Sequence, residues 1–130
     1  MDLVDSLNTE FPSSPPGLTD SYIEKNPDPT CAEPAEDWLV IMPAYMSWCI
    51  RSPLRDELLV VDHTVGALAN FGRYDKAEPR HLNFKSLCSV RQRAVVAAFL
   101  EWCLSGEVFV HEQQVKRSLK HWQEAASCPS

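Results

Sequence analysis

The stretch Ser89–Gly106, SVRQRAVVAAFLEWCLSG, constrains the fold most, because it holds both the start and the stop of a helix. Ser89 is placed to accept a hydrogen bond from an otherwise unpaired N–H of the first turn. Gly106 can adopt the left-handed conformation that ends a helix. Between them Val95, Val96, Phe99, Leu100, Cys103 and Leu104 recur at helical spacing, and Arg91, Arg93 and Glu101 are expected on the opposite side. So apolar a helix must pack against others, which predicts a largely helical fold.

The remaining pattern extends that expectation. Residues 2–11, DLVDSLNTEF, place Leu3, Val4, Leu7 and Phe11 on one face, and Pro12 stops the helix. Residues 12–34 hold six of the ten prolines and read as a long loop, with at most one helical turn over Asp20–Lys25 anchored by Tyr22 and Ile23. Residues 35–51 form an aromatic-rich helix in which Pro43 either bends the helix or opens a second one. Ser52-Pro53 looks like the start of the next helix, running through Asn70 and ended by Gly72. Residues 73–85 are a charged loop, with Leu82, Phe84 and Leu87 returning to the core. A last helix covers about Val110–Ala126, with Val115, Leu119, Trp122 and Ala126 inside. The expected architecture is a single all-α domain over residues 1–130, an irregular bundle of four to five helices with a proline-rich loop near the N-terminus.

Charge is unevenly divided. Residues 1–70 carry twelve acids against Lys25, Arg51 and Arg55, a net −9, whereas residues 71–130 carry nine cations against six acids, a net +3. The acidic part repels nucleic acid and attracts basic protein surfaces. No apolar run approaches the ~18–20 residues of a membrane span. The opening MDLVDSLNTE has no basic segment of a secretory signal, so a cytoplasmic location is expected. The five cysteines are odd in number and widely spread, which points to reduced thiols.

Signatures of chemistry are sparse. His63, His81, His111 and His121 lack metal-ligand spacing, so no metal or cofactor is expected. A thiol enzyme would need Cys88 or Cys103 to meet His81 or His111 in space; the competing reading is core packing of both thiols. A nucleic-acid binder would use Arg91, Arg93, Lys116, Arg117, Lys120 and His121 as a basic face with Trp122 for stacking. Its weakness is the acidity of the whole chain. Trp38, Trp48 and Trp122 are expected to be packed, while Trp102, at the edge of its stripe, is the best candidate for a partly exposed anchor.

Three blocks carry a resemblance: Met42-Pro43-Ala44-Tyr45-Met46 with Arg51-Ser52-Pro53; Gln92-Arg93-x-Ala-Val-x-Ala-x-Phe-Leu-Glu-Trp102; and Ser118-Leu119-x-x-Trp122. Together with the opening LVDSLNTEF they are similar to a family of small, all-helical bacterial proteins of unassigned function. The chain departs from it at Met42, where the family usually has Leu, and before Trp38, where the family tends to carry a longer helical segment. The resemblance implies an immunity-type role beside a secreted toxin and carries no catalytic residue.

These readings converge on a protein-binding module that neutralises a basic toxin by occluding it, with a second copy of the chain as an alternative partner. The residues expected at the interface are Asp20, Tyr22, Glu24, Glu33, Glu36 and Asp37 in the acidic part, with Trp102 as a further aromatic anchor.

Overall fold

The structure is a computed structural model; it describes residues 2–12, 16–32, 37–76, 78–106, 108 and 110–127. Seven α-helices, two 3-10 turns and no strand occur among the described residues, so the protein is all-α. The chain divides into two compact units, Met1–Ala67 and Leu68–Ser130.

The first unit is built around α3 (Trp38–Arg51), on which α1 (Leu3–Glu10), α2 (Asp20–Lys25) and the 3-10 turn Pro29–Cys31 pack. Each helix begins at a side-chain cap: Asp2, Thr19 and Asp37 accept from the N–H of Asp5, Tyr22 and Leu39. These bonds satisfy donors that have no partner inside the helix. Helix α3 runs unbroken through Pro43, so Pro43 does not open a separate helix. Every residue from Ile41 to Cys49 is buried, so tertiary packing offsets the hydrogen bond that proline cannot make.

The next helix does not start at Ser52-Pro53. Residues 53–59 form turns, and α4 covers Val60–Gly72. Arg55 explains the delay: its guanidinium donates to the carbonyls of Cys49 (3.0 Å) and Ile50. Those are C-terminal groups of α3 with no intrahelical donor, so the chain folds back to supply one. The Ser52 hydroxyl caps the turn instead, accepting from the Leu54 N–H at 3.1 Å.

The second unit contains the end of α4, a 3-10 turn at Arg80–Leu82, α5 (Phe84–Leu87), α6 (Val90–Cys103) and α7 (Glu112–Ser127). Helix α6 begins with a reciprocal capping box: the Ser89 hydroxyl accepts from Gln92 N–H, and the Gln92 side chain accepts from Ser89 N–H. Gly106, at φ 97°, supplies the left-handed residue beyond its end. Val95, Val96, Phe99, Leu100 and Cys103 are buried, as the periodicity predicts, whereas Leu104, the last residue of the predicted stripe, caps the helix end and is half-buried.

Arg93 is not on the outer face; it is 8% exposed. Its guanidinium donates to the carbonyls of Lys85 (3.1 Å) and Ala125 (3.3 Å), so a buried cation meets backbone acceptors and not water. Leu87 likewise remains 43% exposed and does not enter the core, whereas neighbouring Phe84 is fully buried. Gly72 ends α4 without a positive φ. Its requirement is space: a Cβ there would lie 3.1 Å from Trp122 Nε1.

Candidate functional site

The aromatic spacing of α3 produces the most distinctive polar arrangement of the first unit. Tyr45, Trp48 and Arg51 recur every three residues and so share one side of the helix. Tyr45 donates its hydroxyl to the Asn26 carbonyl (2.7 Å), and Trp48 donates its indole N–H to Glu24 Oε2 (3.0 Å). Arg51 donates two N–H groups to the carboxylate oxygens of Asp20, at 3.2 and 3.0 Å. As the α3 partner advances, the acceptor moves back along the chain, so α2 runs antiparallel to α3.

Asp20 and Glu24, both expected at a partner interface, are therefore brought together in a clamp that attaches α2 to α3. The Arg51 hydrogen bond holds the Asp20 carboxyl below its ordinary value, against an opposing contribution from burial. Asp37 caps α3 through the Leu39 N–H at 2.9 Å. Tyr22 is half-buried, next to the buried Ile23. Glu33 and Glu36 lie outside the described residues. Trp102 belongs to the second unit, where its half-buried ring stacks on Phe99 with centroids 5.9 Å apart.

Beside the clamp is a cleft of about 400 Å³, lined by apolar Val4, Leu7, Ile23 and Pro43 and by the polar group Asp20, Ser47 and Arg51. Arg51 donates its Nε–H to Ser47 Oγ at 2.8 Å as well as binding Asp20. Three of its five donors are thus directed at protein oxygens, and the charge is neutralised in place.

The thiols do not form the catalytic pairs that a thiol enzyme would need. Cys88 and Cys103 are buried, and neither hydrogen-bonds His81 or His111, both of which are exposed. Burial pushes both thiols up to about 12, with Arg93 partly opposing the effect at Cys88. The thiolate is the nucleophilic form, so these groups are protonated and shielded at neutral pH. Cys31 is the exposed thiol among the described residues. Its Sγ lies 3.8 Å from Asp28 Oδ2, and His63 Nδ1 lies 4.0 Å from the same oxygen. Here a carboxylate stands between thiol and imidazole, unlike a pair in which histidine takes the thiol proton. Burial raises the Asp28 carboxyl, but hydrogen bonds from Thr30 and the facing His63 bring it below its ordinary value.

In a Cys128→Ser background, a thiol-reactive dye should therefore show one fast phase that Cys31→Ser removes and that Cys88→Ser and Cys103→Ser leave unchanged. Loss of fast reactivity in Cys88→Ser would contradict the burial of that group.

The proposed nucleic-acid face is also dispersed. Arg93 is buried, and Trp122 is fully buried with its indole N–H donated to the Leu68 carbonyl at 3.1 Å, so it offers no stacking surface. Lys116, Arg117 and Lys120 are exposed. Among the described residues no three His, Cys, Asp or Glu side chains converge as metal ligands would. No helix among those residues is long and apolar enough to cross a membrane. No protein-family model, curated protein or solved structure matches the chain.

Proposed function

We propose that the chain is a binding protein whose first unit, residues 1–67, docks on a basic protein surface. The supporting observation is that charge divides where the fold divides. No charged residue occupies positions 68–70, so the first unit keeps the full −9 and the second the full +3. Arg51, one of three cations in the first unit, is already neutralised by Asp20. Asp2, Asp5, Asp56, Glu57 and Asp62 are exposed, so their charge faces water. A field of one sign accelerates encounter with an oppositely charged partner and suppresses encounter with like-charged ones. Neutralisation of a basic toxin by occlusion is the concrete form of this role, in keeping with the resemblance of the Met42–Met46 and Gln92–Trp102 blocks to small bacterial proteins.

The acids to test are those the fold does not use. Asp20, Glu24 and Asp37 each hold a structural bond, so reversing them would mix binding with folding. Asp56 and Glu57 sit exposed in the turn before α4. Affinity capture of the tagged chain from its own cells should yield a stoichiometric basic protein. The double variant Asp56→Lys/Glu57→Lys should slow association with it about tenfold or more at low salt, with far-UV circular dichroism unchanged. Rescue of growth when that partner is co-expressed would establish the immunity form. A captured partner that is acidic, or one whose association rate is indifferent to the reversal, would overturn the proposal.

A further inference from the structure

The second unit has a cleft of its own, with chemistry opposite to that of the first. Gln114, Arg117, Ser118 and His121 fall at intervals of three, one and three along α7 and line one side of it. Ala69 and Arg73, four residues apart at the end of α4, line the other. The cleft encloses about 370 Å³, within the range that small-molecule sites occupy. None of its six lining residues is acidic.

Two features distinguish it from an ordinary solvated basic surface. Arg73 is not needed to finish α4. The carbonyls of Leu68, Asn70, Phe71 and Gly72 already accept from the Trp122 indole, the Arg73 and Tyr74 backbone N–H groups and the Lys85 ammonium. Its guanidinium pairs with no carboxylate among the described residues. Arg117 makes one long bond, from Nε to the Gln113 carbonyl at 3.4 Å, which leaves its terminal N–H groups available. The second feature is Ser118: the residue is 2% exposed, lines the cleft, and its hydroxyl has no hydrogen-bond partner. Buried hydroxyls are normally satisfied, so this one, whose oxygen has almost no accessible surface, leaves an unused donor just beneath the wall of a basic cleft.

We infer that this cleft binds a phosphate group, as the free ion or as the terminal group of a small phosphate monoester. Two guanidinium forks match the spacing of phosphate oxygens and can bind them in pairs. The Gln114 amide and the His121 imidazole, both in the lining, add donors of the kind an oxyanion accepts. A small apolar ligand would gain nothing from this lining, and a cation would be repelled by it.

The test is isothermal titration of the full chain with inorganic phosphate and, separately, phenyl phosphate, at fixed ionic strength, to ~10 mM and so well past a millimolar Kd. Saturable one-to-one binding is expected, weakened about tenfold or more by either Arg73→Gln or Arg117→Gln, each a loss of one charge-assisted contact. Both arginines are exposed, so the variants should keep the fold, which circular dichroism checks. Lys116→Gln is the control: Lys116 is exposed and pairs with Glu112 at 3.9 Å, and its loss should leave binding unchanged. Tighter binding of phenyl phosphate would identify an ester as the preferred form, and tighter binding of the free ion would identify inorganic phosphate. Absence of saturable binding by both probes would overturn the inference. So would an equal loss of affinity in Lys116→Gln, which would reduce the effect to diffuse charge.

Discussion

Trp122→Ala is expected to destabilise the second unit by about 3–5 kcal/mol, the cost typical of truncating a fully buried aromatic. The ring is 0% exposed and lies against Phe84, with centroids 5.6 Å apart. Phe84 in turn meets Phe71 edge-on at 5.4 Å, so the three rings form one cluster linking α4, α5 and α7. Alanine would remove ring area, aromatic contact and the donor to Leu68 together. Gly72 sharpens the argument, because its missing Cβ is what lets the indole approach α4; a main-chain surface shaped around one ring collapses poorly when that ring is gone. Trp122→Phe keeps most of the packing and should cost about 1–2 kcal/mol, mainly from the lost hydrogen bond. Urea unfolding followed by circular dichroism separates the two. Since whole domains are stable by only about 5–15 kcal/mol, the alanine variant should be visibly compromised at 25 °C. An alanine variant within about 1 kcal/mol of the parent would show that the cluster does not hold the unit together.

The helices that sequence reveals best are those whose signals are local. Ser89 and Gln92 cap α6 through bonds three residues apart, and such a motif is visible in any chain that contains it. The α1 stripe and the single turn at Asp20–Lys25 are legible for the same reason. The false start at Ser52-Pro53 has the opposite origin. Ser-Pro followed by acids satisfies every local rule for a helix N-terminus, but Arg55 reaches back to the carbonyls of Cys49 and Ile50. That choice between two backbone paths depends on where α3 ends. Arg93 is a different kind of miss. With Val96, Leu100 and Cys103 it falls at spacings of three, four and three on the inner stripe, so the period itself places it inside. The general rule that charged residues face water argued for the other side, and it fails here because backbone carbonyls of Lys85 and Ala125 lie within reach.

The candidate sites were legible as charge and illegible as geometry. The opposite signs of the two units are plain in the sequence, and the fold boundary falls within three residues of the charge boundary. Which acids remain free for a partner is not written there. Asp20, Glu24 and Asp37 differ from Asp56 and Glu57 only in what α3 presents to them. The phosphate cleft shows the same asymmetry. Arg117 and His121 stand out as basic residues on α7, but Arg73 reads as part of a charged loop, and Ser118 only as the first residue of the Ser118–Trp122 block. Their significance arises when the end of α4 meets α7 around Trp122.

Lys85→Met should cost about 2–3 kcal/mol at neutral pH, and the loss should shrink on acidification. The Lys85 side chain is 6% exposed, and its ammonium donates to Asp75 Oδ1 at 2.6 Å and to the Gly72 carbonyl. Methionine matches the stem in volume and removes both donations. Gly72 then keeps a buried helix-terminal carbonyl with no intrahelical donor to replace the one it lost. Asp75 suffers less, because its side chain is 83% exposed and returns to water, so its share of the energy is discounted accordingly. The pH dependence follows from that share. The Lys85 hydrogen bond holds the Asp75 carboxyl below its ordinary value. A depressed carboxyl stabilises the folded state fully above its unfolded value, about 3.9, and that contribution disappears as pH falls through the lower folded value. The parent should therefore lose more stability than the Lys85→Met variant between about pH 4 and pH 2. The gap between them should narrow without closing, since the variant leaves the Gly72 carbonyl without its Lys85 donor at every pH. Urea unfolding of both proteins at neutral pH and across the acid range measures this directly. A difference that stays constant with pH would assign the whole effect to the Gly72 carbonyl and remove Asp75 from the account; a difference near zero at every pH would show that the buried ammonium contributes no net stability.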